Sequence, residues 1–263
     1  MLRVNSWLQV SCPQRLFRSW VSLLVLTSWL SGCAKDHEGD CFKSTGSIVT
    51  ERRALPPFQD LVTYTNVDVT LVQDTTIAEP YAEVRTGKNL QEDIELQVED
   101  GRLTIRNTSR CNWVRRYDTP REVTLHVASI RDVALLGAGN ISTAGNFRVS
   151  TVFFHLVGAG DYDLDLTSDI VYLDMYELGD VRLRGAADEL SLTVGGLGSV
   201  RATDLHTKRC FFELTRSSDG SAYVSASDIV GGTHAGTGTL YYSGNPAATD
   251  ILVTGKGKVV EVN

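Results

Sequence analysis

The chain has 263 residues, with 32 acidic and 25 basic side chains and a formal charge of −7. Apolar residues at 42% exclude a disordered chain. The acidic balance argues against nucleic-acid binding, which needs a basic stripe to neutralise phosphates. Two features stand out: 23 glycines against 6 prolines, and a front end that does not belong to the fold.

Residues 1–32 hold Arg3, Arg15 and Arg18 and no acid. The apolar run Trp20–Leu30 is eleven residues long, too short to span a hydrocarbon core of roughly 30 Å as a helix. It ends in Leu30-Ser31-Gly32-Cys33, which resembles the lipobox of bacterial lipoproteins. The resemblance implies cleavage before Cys33 and a diacylglycerol on its thiol; the bland alternative is an ordinary signal peptide with a chance cysteine. Cleavage removes three positive charges, taking −7 to −10, so the lipid and not headgroup attraction must hold the membrane. Ala34-Lys35-Asp36-His37-Glu38 resembles the charged export tag of Bacteroidetes surface lipoproteins. The expected division is a signal peptide at 1–32, a tether at 33–45 and one domain at 46–263. The expected location is the outer membrane, facing outward on a lipid anchor.

With Cys12 removed and Cys33 acylated, Cys41, Cys111 and Cys210 remain. An odd set allows at most one disulfide, which export permits. Cys41–Cys111 is the expected pair, because Cys210 sits in the apolar run Cys210-Phe211-Phe212. No Cys/His spacing suggests zinc, and no metal or other cofactor is expected.

Residues 46–120 read as initial coils or a cap. Val67-Asp68-Val69-Thr70-Leu71 and Ile94-Glu95-Leu96-Gln97-Val98 alternate as half-buried strands, and Asp100-Gly101 predicts a hairpin turn before Leu103-Thr104-Ile105. Residues 107–120, with Cys111 and Trp113, read as a protruding loop.

From 121 to 263 a glycine signature recurs, with second glycines at 139, 160, 179, 198, 220, 238 and 257, a mean spacing of about 19.7. Two past each glycine stand Ile141, Tyr162, Val181, Val200, Ala222, Leu240 and Val259. Six before stand Val133, Phe154, Leu173, Leu192, Leu214, Gly232 and Ile251. Short alternating strands flank most copies, and glycine serves the corner, through positive φ or stacking too close for a side chain. The pattern predicts an all-β, single-domain parallel β-helix or β-solenoid with rungs of about 20 residues; an antiparallel sandwich is the competing fold. Stacked rungs set Asp163 over Arg182 and Asp165 over Arg184. They also set Asp161 over Asp180, a repulsive pair with no evident reason.

The combination resembles the GIN domain, a family described as a candidate head domain of autotransporter adhesins and common in Bacteroidetes lipoproteins. The resemblance runs from about Gly46 to Val262. It rests on Phe58-Gln59-Asp60-Leu61 with Val67-Asp68-Val69, on Asp100–Ile105, and on the glycine series through Ser243-Gly244-Asn245-Pro246 and Gly255-Lys256-Gly257. It implies a β-helix-like fold at the cell envelope and carries over no catalytic residue. The third and fifth repeats lack the first glycine, which predicts irregular corners there.

Chemical motifs fail on inspection. The Asp161–Asp165 run lacks the Gly and Glu of an EF-hand, with Leu166 and Tyr172 in those places. Gly139 is followed by Ser142 where a dinucleotide fingerprint needs glycine. His126, His155, His206 and His234 fall without ligand spacing and read as surface or edge residues. No catalytic residue is assigned. The expected role is non-catalytic adhesion, scaffolding or ligand binding, with glycan or protein partners at the cell surface. Tyr223 and Tyr241, in one outward column, are the candidate ligand contacts. Two alternatives stay open: a polysaccharide-active enzyme using Asp161, Asp163, Arg182 and Arg201, and a purely structural envelope component.

Overall fold

The computed structural model describes residues 44–109 and 119–262. Cys33, Cys41, Cys111 and the core of the 107–120 loop lie outside them. The described residues carry 17 strands in one continuous sheet, wound as a β-solenoid of about 6 turns.

The repeats are built from β10 (Phe147–Leu156), β11 (Tyr162–Met175), β12 (Val181–Val194), β13 (Val200–Leu214) and β14 (Ala222–His234), each parallel to the next. Parallel stacking of successive coils excludes the sandwich. Alternation within β11 buries Tyr162, Leu164, Leu166 and Ser168, then changes phase to bury Val171, Leu173 and Met175. One added residue at Asp169–Ile170 lets the chain turn while its apolar side chains keep facing inward. The column two past each second glycine is in register from Ile141 through Tyr162, Val181, Val200, Ala222 and Leu240 to Val259. All but Val259, which is partly buried, are core residues.

The second column needs one correction. Leu192 pairs with Phe212, and Leu214 pairs with His234. The rung ending at Gly220 carries two extra residues after Leu214, taken up in a turn closed by Ser218 N–H to Thr215 O at 3.0 Å. Counting back from Gly220 therefore lands two residues late.

Close stacking, and not positive φ, explains the corner glycines. A Cβ on Gly160 would meet Gly139 O at 1.8 Å, and one on Gly179 would meet Gly160 O at 1.9 Å. The left-handed glycines lie elsewhere. Of the two corners lacking the first glycine, the one at Ser218–Gly220 is irregular, since it holds the two-residue insertion, yet both carry on the rung-to-rung bonding at the missing glycine's position. Leu197 N–H reaches Glu177 O at 3.0 Å and Thr237 N–H reaches Ser218 O at 2.9 Å, matching Ala159 N–H to Gly137 O at 2.9 Å. Glu177 and Ser218 each sit between glycine-bearing rungs, which leaves room for the one side chain.

The N-terminal end is not stacked in chain order. β2 (Asp60–Thr63) and β3 (Asp68–Gln73) form a coil lying between β6 (Arg102–Asn107) with β7 (Glu122–Val127) on one side and β8 (Asp132–Leu135) with β9 (Ile141–Thr143) on the other. The outermost coil, β6–β7, is then covered by antiparallel strands. β5 (Ile94–Glu99) pairs with β6 through a hairpin whose turn residues Asp100 and Gly101 have φ of 50° and 75°, the primed geometry that Asp-Gly favours. β4 (Tyr81–Gly87) pairs with β7, and β1 (Ile48–Ala54) with β4. Antiparallel cover of this kind closes an edge that would otherwise invite pairing. The solenoid ends with β15 (Thr239–Ser243), β16 (Ala248–Val253) and β17 (Lys258–Glu261), the last two mostly exposed.

Polar side chains complete the backbone where strands run out. The Gln73 amide donates to Arg148 O at 2.7 Å and accepts Arg148 N–H at 2.8 Å, replacing a missing strand beside β10. Outward charges pair across rungs as the register dictates, but diagonally. Arg184 reaches Asp163 at 2.7 Å and Arg182 reaches Asp204 at 3.3 Å, while Asp165 accepts the Asn146 amide at 2.7 Å. Cys210 is a buried free thiol in β13, and burial pushes it up to about 12. His234, expected at the surface, is fully buried, its Nε2 3.1 Å from Gly238 O beneath Gly257. A side chain at the stack's last corner is enclosed even though the strands there are not.

Candidate functional site

One outward column, three residues past each second glycine, changes character along the axis. It runs Ser142, Asp163, Arg182, Arg201, Tyr223, Tyr241, Val260 in strict register. In-register stacking fixes the geometry of its aromatic part: the Tyr223 and Tyr241 rings lie 4.6 Å apart at 5°, close to the spacing of the rungs themselves. Both are half-buried. They border a cavity of about 380 Å³ with Thr203, Val224, Tyr242, Ser243 and Val262. Tyr242 is also tied to the last rung through Glu261, with its hydroxyl 3.3 Å from the carboxylate. Burial and the neighbouring Glu261 carboxylate raise its phenol above the ordinary range.

β13 makes this region different from every other rung. Against β12 it carries one extra residue between Arg182↔Arg201 and Arg184↔Asp204, and against β14 three between Arg201↔Tyr223 and Thr207↔Ala226. The resulting bulge exposes Thr203, as bulges re-aim side chains near binding sites. Thr203 lines both the tyrosine cavity and a second cleft of about 470 Å³. That cleft gathers Asp161, Asp163, Asp180, Arg182, Arg201 and Asp204. The four residues of the enzyme reading do come together, but two of their charges, on Asp163 and Arg182, are taken up in ion pairs. Asp163 is held by Arg184, Arg182 by Asp204, and Asp161 by the backbone of the next rung. Arg201 alone of this group makes no side-chain hydrogen bond or ion pair within the described residues.

Two other surfaces compete. A groove of about 790 Å³ runs across the rungs over Ser150, Ser168, Ala187 and Thr207. Its wall holds Asp188 and Lys208, whose 2.7 Å contact lowers the carboxyl and raises the amine from their ordinary ranges. The glycine corners, in turn, expose an apolar edge of Leu136, Val157, Tyr176, Leu178 and Leu197, the type of patch that marks interaction surfaces.

The profile of the protein family described as "Putative auto-transporter adhesin, head GIN domain" matches residues 57–246. The chain belongs to this family. Three solved structures share the fold of this GIN domain. A "putative adhesin" from Bacteroides fragilis has a TM-score of 0.74 at 18% identity, over 82% of this chain and 97% of its own. A "putative lipid binding protein" from Parabacteroides distasonis has a TM-score of 0.64 at 19% identity, over 84% of this chain and 98% of its own. A "putative adhesin" from Parabacteroides merdae has a TM-score of 0.56 at 20% identity, over 84% and 98% respectively. At such identity the likeness is one of fold, and a fold does not by itself assign a ligand. No curated protein matches the chain.

Proposed function

We propose that this GIN-domain protein is a non-catalytic, ligand-binding adhesion module, displayed at the cell surface by a lipid on Cys33. The observation that carries the reading is the Tyr223–Tyr241 stack beside an open cavity on the outer face of the stack. Flat aromatic surface near hydroxyl donors suits a sugar ring or a peptide side chain. The family description and the adhesin names of the structural neighbours support adhesion, and the neighbour named for lipid binding makes lipid a ligand to be screened as well. Ion pairing of Asp163 and Arg182 disfavours the polysaccharide-active alternative, since a catalytic acid or base must be free to exchange a proton.

The test is a glycan and lipid array with the full chain in detergent, comparing wild type with Tyr223→Ala/Tyr241→Ala. Binding lost in the variant supports the reading; binding that persists moves the site elsewhere. Release of reducing ends or unsaturated products from acidic polysaccharide, abolished by Asp163→Ala, would instead establish the enzyme. Labelling of cells with radioactive palmitate, absent in Cys33→Ser, together with protease shaving of intact cells, tests the anchor and the outward display.

A further inference from the structure

The strand segments that precede the glycine corners carry an outward column of their own, Phe153, Tyr172, Ser191, Phe211, Gly231, in register from β10 to β14. Its first two rings stack at 4.6 Å and 5°, so they repeat with the rungs. Serine then stands where the next ring would lie. Tyr172 and Phe211 are therefore two rungs apart, roughly 10 Å along the axis, with only the short Ser191 side chain between them. Phe211 reaches over Gly231 on the far side, where a Cβ would lie 3.6 and 3.7 Å from its ring atoms. It touches no other ring among the described residues and is 38% exposed. The result is a slot one planar group thick, walled by Phe211 and by the face of Tyr172 turned away from Phe153. Both ends of the slot are charged. At one end Glu189 holds Arg209 at 2.9 Å, and that guanidinium lies over neither ring. At the other, Tyr176 leans across Gly195, where a Cβ would meet its ring at 2.8 Å. Partial burial and the facing carboxylates of Asp174 and Glu213 raise the Tyr176 phenol above its ordinary range. Asp174 is engaged by His155 at 3.2 Å, which also faces Asp132 at 3.5 Å. Glu213 is exposed and has no hydrogen-bond or ion-pair partner within the described residues.

We infer that this slot takes an arginine side chain presented by a protein partner, its guanidinium sandwiched between Tyr172 and Phe211 and bonded to Glu213. The contact is additional to the tyrosine site, whose column follows the corners instead of preceding them. A guanidinium is flat, is attracted to ring faces and is weakly hydrated, so it fits between two rings where an ammonium would have to shed a tighter shell of water. Its fork also matches the free carboxylate with two parallel hydrogen bonds. A sugar ring is puckered and brings no charge to answer Glu213.

The experiment titrates the full chain in detergent with the peptide acetyl-Gly-Arg-Gly-amide, and with the same peptide carrying lysine or citrulline, followed by saturation-transfer NMR of the peptide. Wild type binds the arginine peptide about fivefold or more tightly than either of the others. Ser191→Phe, which fills the gap in the column, removes binding while the melting temperature stays at or above that of wild type. Phe211→Ala weakens binding of the arginine peptide, and Glu213→Gln brings it down to the citrulline level. Should Ser191→Phe fail to fold, these two variants decide. Tyr223→Ala/Tyr241→Ala leaves the arginine peptide bound as in wild type, which separates this contact from the tyrosine site. The assignment is overturned if the arginine peptide does not bind, if lysine or citrulline serves equally well, or if binding survives in a folded Ser191→Phe. It is overturned too if methyl galactoside, and not the peptide, shows binding that Ser191→Phe removes, since the slot would then hold a sugar.

Discussion

Asp161 Oδ1 accepts the backbone N–H of Asp180 at 2.7 Å. The same bond recurs down the column that follows the second glycine. Asp68 takes the N–H of Asn140 at 2.8 Å, Asn140 that of Asp161 at 3.0 Å, and Asp180 that of Ser199 at 2.7 Å. Two aspartates one rung apart look repulsive in sequence, but each carboxylate points at an amide of the next coil. Asp180→Ala is expected to destabilise the protein by about 0.5–1.5 kcal/mol, and Asp180→Asn, which keeps the acceptor, by less. Urea denaturation reads both; an alanine variant more stable than wild type would show that repulsion dominates.

Gly160→Ala places a methyl 1.8 Å from Gly139 O, with backbone on both sides of the contact. It should cost about 3 kcal/mol or more, or prevent folding. Gly231 is the control, because a Cβ there meets nothing nearer than Asp250 O at 3.4 Å. Gly231→Ala should stay within about 1 kcal/mol of wild type. Thermal melts that rank the two substitutions equally would refute the stacked-corner account.

Cys210 titrates at about 12 in the folded protein, against 9.0 for an ordinary thiol, because ionising it inside the core is costly. Between those values the unfolded chain has lost the thiol proton and the folded chain keeps it. Stability from this group is complete below pH 9 and falls as pH rises from 9.0 toward about 12, by about 1.4 kcal/mol per pH unit. Wild type should show this slope over and above Cys210→Ala in pH-dependent urea titrations. The native thiol should also resist alkylation until the protein unfolds.

Excision of residues 162–180 removes one coil and joins Asp161 to Val181, which holds the same place on its rung as Tyr162, the partner of Ile141. The shortened chain should fold, with a β-rich circular dichroism spectrum and cooperative unfolding at a lower temperature. Excision of residues 60–73 should abolish folding, since those strands sit between two other coils.

The solenoid was legible because its period was carried by glycines that cannot be replaced and by an apolar column whose seven members all fell in register. Leu214 was misplaced because the count started from Gly220 and could not see two residues absorbed in a corner. The phase change between Ser168 and Val171 in β11 was readable in principle, as alternation that slips by one wherever the coil turns. So was the polar series Asn140, Asp161, Asp180, Ser199, whose regularity pointed to a structural duty. The aromatic pair was found from the column alone. The bulge that exposes Thr203 was hidden, because extra residues within a strand leave no periodic mark. The inverted order of the first coils was hidden too, as no local pattern records which distant strand a coil lies upon.

That inversion has a bearing on how the molecule comes into being. Its founding layer draws on two stretches separated by some thirty residues, so a nascent polypeptide leaving the ribosome cannot lay down layers one after another from its start. Everything up to Val127 must be available before the base can close, whereas each later layer needs only the one already in place. Lengthening or shortening over generations is thus directed away from the closed base, and variation in the height of such molecules should accumulate at the far end.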